Sequence, residues 1–149
     1  MGADTSATQL IFFISSVIIA LGVVGALFMN VQSITNSATI GSKTLSEQLK
    51  TDITVINDPE TIPNSGGVYT FYIKNTGMEQ LGTAYVTVII DGIIIPDENL
   101  NKTIIGSSSQ TWLTGDVLQI NATVSLSSGS HNLRIITTNG IEDSFSFRI

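Results

Sequence analysis

Apolar and polar positions along the chain follow two different periods, and the change falls near residue 50. The first part contains an apolar stretch, residues 10–29, with no charged side chain and only two hydroxyls, those of Ser15 and Ser16. A helix needs roughly 20 apolar residues to cross the hydrocarbon core of a membrane, so this stretch is long enough. It could be a cleaved secretory signal, a simple membrane anchor or the packing helix of an assembly.

The start of the chain argues against the cleaved signal. A secretory signal has a basic start and a shorter apolar core, whereas this chain begins Met-Gly-Ala-Asp, without Lys or Arg. We therefore expect the apolar segment to be retained.

The apolar pattern continues beyond residue 29 as a stripe. Spacings near three, four and seven residues are typical of one face of a helix, and the other faces are polar. The stripe consists of Val31, Ile34, Ala38, Leu45 and Leu49. We predict one helix from near Thr5 to near Lys50, about 70 Å long at ~1.5 Å per residue. A plain anchor has no need of this extension, so the stripe indicates a partner surface.

Small residues recur four apart within the apolar half, at Ser16 and Ala20 and at Gly22 and Ala26. Such spacing allows helix backbones to approach closely, which favours helix–helix association and a homo-oligomer formed through the helix. The residues that we expect to contact lipid or a neighbouring helix are Leu10, Ile11, Phe12, Phe13, Ile14, Ser16, Ala20, Gly22, Ala26, Val31, Ile34, Ala38, Leu45 and Leu49.

After Lys50 the period becomes that of strands. Residues 68–75 ("VYTFYIKN") alternate strictly, and further strands are predicted at 52–56, 83–91, 93–95, 117–124, 131–138 and 141–149. The pairs Asp91-Gly92 and Asn139-Gly140 predict hairpin turns. Short strands with a turn about every ten residues are typical of an immunoglobulin-like sandwich, with Trp112 and other aromatic residues in its core.

The fold class is therefore α+β in layout. One long N-terminal transmembrane, pilin-like helix, residues 1–50, is followed by an all-β immunoglobulin-like sandwich, residues 51–149. Two lysines after the apolar stretch, Lys43 and Lys50, would place the sandwich in the cytoplasm by the positive-inside rule.

Composition narrows the chemistry. The net charge is −6, which disfavours binding to nucleic acid, and the chain has no Cys for a thiolate metal site. The single histidine, His131, lies in a turn-like stretch and is expected at the surface. The pair Asp97-Glu98 follows Pro96 and is expected to be solvated. No motif of a nucleophile, phosphate loop or calcium loop occurs. We expect no enzyme activity, no cofactor, no metal and no small-molecule substrate.

Two sequons, beginning at Asn101 and Asn121, are possible glycosylation sites. A glycan at either one would require the sandwich to lie outside the cell.

Two stretches carry a resemblance to a known family. "ATQLIFFISSVIIALGVVGAL" and "SEQLKTDITVINDP" are similar to the archaellum G protein family (FlaG/ArlG), a branch of the archaeal type IV pilin-like proteins. The family pattern "TDI-x-VI-x-DP" corresponds here to residues 51–59, and "FYIKNTG" at 71–77 is also similar.

The resemblance implies a non-catalytic stator subunit of the archaellum motor. Such a subunit is anchored in the cell membrane, with its sandwich outside, between the membrane and the surface layer. Its implied partners are the archaellum F protein and the surface-layer protein. This orientation overrides the one that the two lysines favour.

Other functions remain open at this stage. The chain could instead be a filament-forming pilin or archaellin subunit, or a binding module on a generic anchor. Archaellins and most archaeal pilins carry a basic residue before their processing site. Since this start has none, we expect an unprocessed anchor.

Overall fold

The computed structural model describes residues 2–149, apart from the side chain of Ala3. One α-helix, α1, spans Gly2–Lys50. Eleven strands follow in the described chain: β1 (Ile53–Val55), β2 (Asn64–Ser65), β3 (Val68–Asn75), β4 (Leu81–Gly82), β5 (Thr87–Ile90), β6 (Ile93–Ile94), β7 (Leu100–Ile104), β8 (Thr111–Trp112), β9 (Val117–Thr123), β10 (Ser130–Ile136) and β11 (Glu142–Arg148). Two 3₁₀ turns lie at Thr83–Tyr85 and Asp97–Asn99.

The chain divides into two compact units, one ending at Lys43 and the other spanning Thr44–Ile149. The last two turns of α1 therefore belong with the strands. The boundary between residues 50 and 51 stays a prediction.

The strands form an antiparallel sandwich, as the alternating pattern predicted. One sheet has the order β1-β3-β9-β7, with β2 paired to β3, and the other has the order β11-β10-β5-β6. A short ladder of β4 and β8 lies beside them. Trp112 is fully buried, and Phe71 of one sheet meets Phe147 of the other edge-to-face at 5.3 Å between ring centroids. The expectation of an aromatic core is confirmed.

The Asp91-Gly92 turn has the predicted geometry. Both residues have positive φ, 51° and 81°, as a type I′ turn requires, and they join β5 to β6. The hairpin predicted at Asn139-Gly140 also forms, joining β10 to β11. It is wider, because the closing hydrogen bond runs from Thr137 N to Ile141 O.

The strand predicted at 83–91 is wrong in its first part. Thr83–Tyr85 forms a 3₁₀ turn, because Thr83 donates its N–H and its hydroxyl to Gln110 O, and Val86 N then bonds back to Thr83 O. Strand β7 was not predicted. Its exposed positions, Asn101 and Thr103, are polar and Lys102 lies between them, so the segment has no apolar run.

The end of α1 is joined to the sandwich by hydrogen bonds from two loops. Asn139, between β10 and β11, donates from Nδ2 to Thr51 Oγ1 and accepts at its backbone oxygen from Gln48 Nε2. On the β3–β4 loop, Gly77 N donates to Asp52 O at 2.9 Å and Met78 N donates to Lys50 O at 2.7 Å. We call these contacts the helix clamp.

Gly77 has no room for a side chain in the helix clamp. A Cβ atom there would lie 2.4 Å from both Asp52 N and Lys50 O. Asn75, fully buried, holds the same loop from inside, donating to Glu79 O and Trp112 O and accepting from Gly77 N. The clamp therefore requires glycine for its closeness of approach.

Gly77→Ala is expected to destabilise the sandwich by about 1–3 kcal/mol, because backbone atoms must move to admit the methyl group. Trp112 is the only tryptophan and is buried, so its fluorescence during denaturation of the full chain in detergent reports this loss. Gly82→Ala is the matched control, since its Cβ would lie 3.5 Å from the Tyr85 ring, an ordinary contact. Equal stability of the two variants would contradict the clamp.

Candidate interaction surfaces

The apolar half of α1 is exposed along its whole length. Phe12, Ile18 and Met29, for example, are 71%, 64% and 73% exposed. Within the described residues, one helix is long and apolar enough to cross a membrane. The apolar residues predicted to contact lipid or a neighbouring helix are all exposed there, because no other part of the described chain covers them. Exposing so many apolar side chains to water is unfavourable, so lipid or other helices must cover them.

The stripe and one pair of small residues lie on the same face of a regular helix. At about 100° per residue, Ser16 and Ala20 fall in a sector of roughly 60°. That sector also contains Val31, Ile34, Ala38, Leu45 and Leu49. The second pair, Gly22 and Ala26, lies outside it. Among the expected packing residues, the stripe and the first small pair therefore form one continuous face, and the second small pair lies apart from it.

The Ser16 hydroxyl is already used within the helix, since it donates to Phe13 O at 2.8 Å. It can therefore lie in an apolar contact without an unpaired donor. Apart from its chain neighbours and the adjacent turns of the helix backbone, nothing lies within 4 Å of the Cβ position of Gly22. The small residues thus leave space beside the backbone, as close helix packing requires.

The two sequons prove to be neighbours. Asn101 on β7 lies directly opposite Asn121 on β9. Asn101 is exposed, whereas Asn121 is half-buried, and its Oδ1 accepts hydrogen bonds from Thr70 Oγ1 and Gln119 Nε2.

The expectation that His131 lies at the surface is wrong. The residue is only 9% exposed and packs against the Phe147 ring at 5.6 Å between centroids. Its Nδ1 lies 2.6 Å from Asp91 Oδ2 and its Nε2 lies 2.7 Å from Ser127 O. The type I′ turn brings Asp91 to it, a contact between residues 40 apart that the sequence around His131 could not indicate.

Both partners of the His131 ring are acceptors, so the geometry favours the doubly protonated imidazolium. The hydrogen bond to Asp91 raises the pKa of His131 above its ordinary value of 6.5, and the bond to Ser127 O adds to this against the cost of burial. The same His131 bond, with one from Asn132 N, lowers the pKa of Asp91 below 3.8. The pair ties the β5–β6 turn to β10.

The stability of the sandwich should therefore depend on pH above 6.5. Because the pKa of His131 is raised by folding, its contribution is complete below the unfolded value of about 6.5 and is lost as the pH rises through the folded value. The midpoint of denaturant unfolding, followed by Trp112 fluorescence, should fall over that range. His131→Gln should remove the dependence and Glu98→Gln, at an exposed carboxylate, should keep it. A wild-type midpoint that is constant from pH 6 upward would contradict the ion pair.

No group of three or more His, Asp or Glu residues that could hold a metal ion occurs in residues 2–149. Asp97 lies 2.7 Å from Lys102 Nζ, which also donates to Val86 O. Asp97 and Glu98 are both exposed, as expected for a solvated pair.

A long apolar helix followed by one antiparallel sandwich defines the pilin-like class of proteins. The family model of archaeal-type flagellin matches residues 3–147, and the chain belongs to that family. The chain is 30% identical over 146 residues, 95% of each protein, to a putative flagella-related protein G of Methanococcus voltae. The resemblance to the archaellum G proteins is thereby confirmed.

Two solved structures are also similar. The archaeal flagellum of Methanospirillum hungatei matches 98% of this chain and 92% of its own, with 14% identity and a TM-score of 0.59, which indicates a shared fold. The archaellum periplasmic stator protein FlaG of Sulfolobus acidocaldarius matches 65% of this chain and 99% of its own, with 24% identity. Its TM-score is 0.45, below the level at which two folds can be equated. The chain is therefore a structural component of the archaellum. Its relatives are structural proteins rather than enzymes.

Proposed function

We propose that the protein is a membrane-anchored stator subunit of the archaellum motor. Its apolar half-helix lies in the cell membrane and its sandwich lies outside, between the membrane and the surface layer. It acts with the archaellum F protein and contacts the surface-layer protein, holding the motor while the filament turns.

One observation carries this proposal: the helix that offers an uncovered apolar segment also continues into a hydrogen-bonded clamp with the sandwich. A stator must transmit force from a fixed structure to the membrane, and this requires a firm joint rather than an active site. The helix clamp joins the end of α1 to two separate loops of the sandwich.

Under this proposal the two sequons differ in whether they can carry a glycan, because they differ in exposure. A sandwich on the outside of the cell can carry a glycan at Asn101, which is exposed on an edge strand. We expect Asn121 to remain unmodified, because its side chain is already engaged by Thr70 and Gln119.

The proposal is tested by cross-linking in intact cells, followed by mass spectrometry of the cross-linked peptides. We expect peptides of the F protein and of the surface-layer protein linked to residues of the sandwich. Cross-links to further copies of this chain alone would favour the filament subunit instead.

Ile34→Ser should reduce co-purification of the F protein from detergent-solubilised membranes by about tenfold or more, because burying an isoleucine is worth roughly 1.5–3 kcal/mol. Ile40→Ser is the matched control, about 120° away around the helix. The two side chains are 68% and 67% exposed, so they differ in face and not in exposure. Equal yields of F protein with the two variants would show that the stripe does not contact the F protein.

A filament subunit is the second candidate, since the family match is to archaeal-type flagellin and the shared fold is that of a flagellum. Abundance distinguishes the two. Filaments sheared from cells should contain this protein as a trace at most if it is a stator, measured by quantitative mass spectrometry against the major filament protein. A filament composed mainly of this chain would establish the second candidate.

A further inference from the structure

One side of the sandwich is closed by hydrogen bonds between its two sheets. Val55 N in β1 donates to Asp143 Oδ2 in β11 at 2.8 Å, and Arg148 N donates to Pro59 O at 2.9 Å. On the opposite side, β6 forms the edge of the four-stranded sheet.

The backbone of Ile94 is directed away from the sheet. Ile93 pairs with Ile90 beside the tight turn, and Ile95 N donates to Val88 O at 2.9 Å. Hydrogen-bonding groups alternate in direction along an antiparallel strand, so the N–H and C=O of Ile94, between these two positions, point toward the open edge. An incoming strand would find one donor and one acceptor there.

Grooves flank β6 on both faces. The first, of 430 Å³, is lined in part by Tyr85, Ile94 and Pro96, and the second, of 190 Å³, in part by Ile93 and Leu126. Tyr85, Ile93 and Ile94 are 72%, 68% and 62% exposed. Successive side chains of a strand point to opposite faces, so one added strand would fill both grooves in turn.

Charge identifies the kind of strand that fits. Residues 51–149 contain ten Asp and Glu but only four Lys and Arg. Asp97, 80% exposed in its side chain, and Glu98 follow the first groove directly. Lys102, the neighbouring cation, is 10% exposed, donates to Val86 O and pairs with Asp97, so Glu98 supplies the negative charge that remains beside the groove. A second copy of this chain would bring the same acidic groups together, which is unfavourable.

We propose that the open edge of β6 binds, by strand addition, an extended segment of a different protein, with apolar side chains at successive positions and flanking Lys or Arg residues. The main-chain bonds at Ile94 and the two grooves supply affinity, and Glu98 with the net negative charge of the sandwich selects for basic flanks. The surface is defined by the sandwich itself and does not depend on the stator role.

The test uses the full chain in detergent micelles and two fluorescein-labelled probe peptides, Lys-Lys-Thr-Val-Ile-Val-Thr-Lys-Lys and the same peptide with Glu in place of Lys. Fluorescence anisotropy measures binding. We expect the Lys-flanked probe to bind about tenfold or more tightly than the Glu-flanked one, with a dependence on salt. Ile94→Pro removes the donor and should lower its affinity by about tenfold.

Trp112 fluorescence would reveal whether Ile94→Pro disturbs the fold. In that case Glu98→Lys still tests the proposal. This substitution should weaken binding of the Lys-flanked probe and strengthen binding of the Glu-flanked one. Glu60→Lys, on the exposed loop near Pro59, is the control and should leave both affinities unchanged.

Equal affinity of the two probes, or binding that neither Ile94→Pro nor Glu98→Lys changes, would overturn the proposal. So would sedimentation showing a dimer of this chain that Ile94→Pro dissociates, since that result would assign the edge to a second copy.

Discussion

The constraint on which the rest depends is the uncovered apolar surface of α1. A soluble helix hides its apolar side chains on one face, but residues 10–29 are apolar all round and are exposed in the described chain. Each Leu, Ile or Phe left in water forgoes about 1.5–3 kcal/mol, so this segment has a stable place only in lipid or among other helices. The rest of α1 connects this apolar segment to the folded sandwich.

The sandwich is stabilised independently of this segment. Its core consists of residues from both sheets, with Trp112, Phe71 and Phe147 at the centre, and β1 is bonded to β11 across one side. With no Cys in the chain, packing and hydrogen bonds alone hold it. Among residues 2–149, no buried side-chain nitrogen or oxygen lacks a partner, a property expected of a well-determined native core. Buried polar residues such as Asn75 and His131 hold loops in place through their hydrogen bonds.

Features set by local pattern could be predicted from the sequence. The strict alternation of residues 68–75 predicted both ends of β3 correctly, and the pair Asp91-Gly92 predicted the type of turn. Both features depend on neighbouring positions only. The helix and the apolar stripe were visible for the same reason. Strand β7 was not, because its outward side chains are polar and its pairing with β9 involves residues about twenty positions away.

The candidate surfaces were harder to predict than the strands, because they depend on contacts between residues far apart in the sequence. His131 looked like a surface residue until folding brought Asp91 to it, and the adjacency of the two sequons appears only in the register of β7 with β9. The grooves beside β6 combine residues from several segments, so no single stretch indicated them. The Ser16–Ala20 face was hidden for a simpler reason, since its continuity with the later stripe requires counting helical phase over 33 positions.

The helix clamp has a consequence for how this protein can vary over time. Several of its closest contacts join backbone atoms, with the oxygens of Lys50 and Asp52 accepting from Gly77 and Met78. Backbone atoms are common to all residues, so the side chains at positions 50 and 78 are free to change without loss of those bonds. Position 77 is not free, because any larger residue would collide with the chain. Natural variation should therefore be wide at positions 50 and 78 and almost absent at position 77.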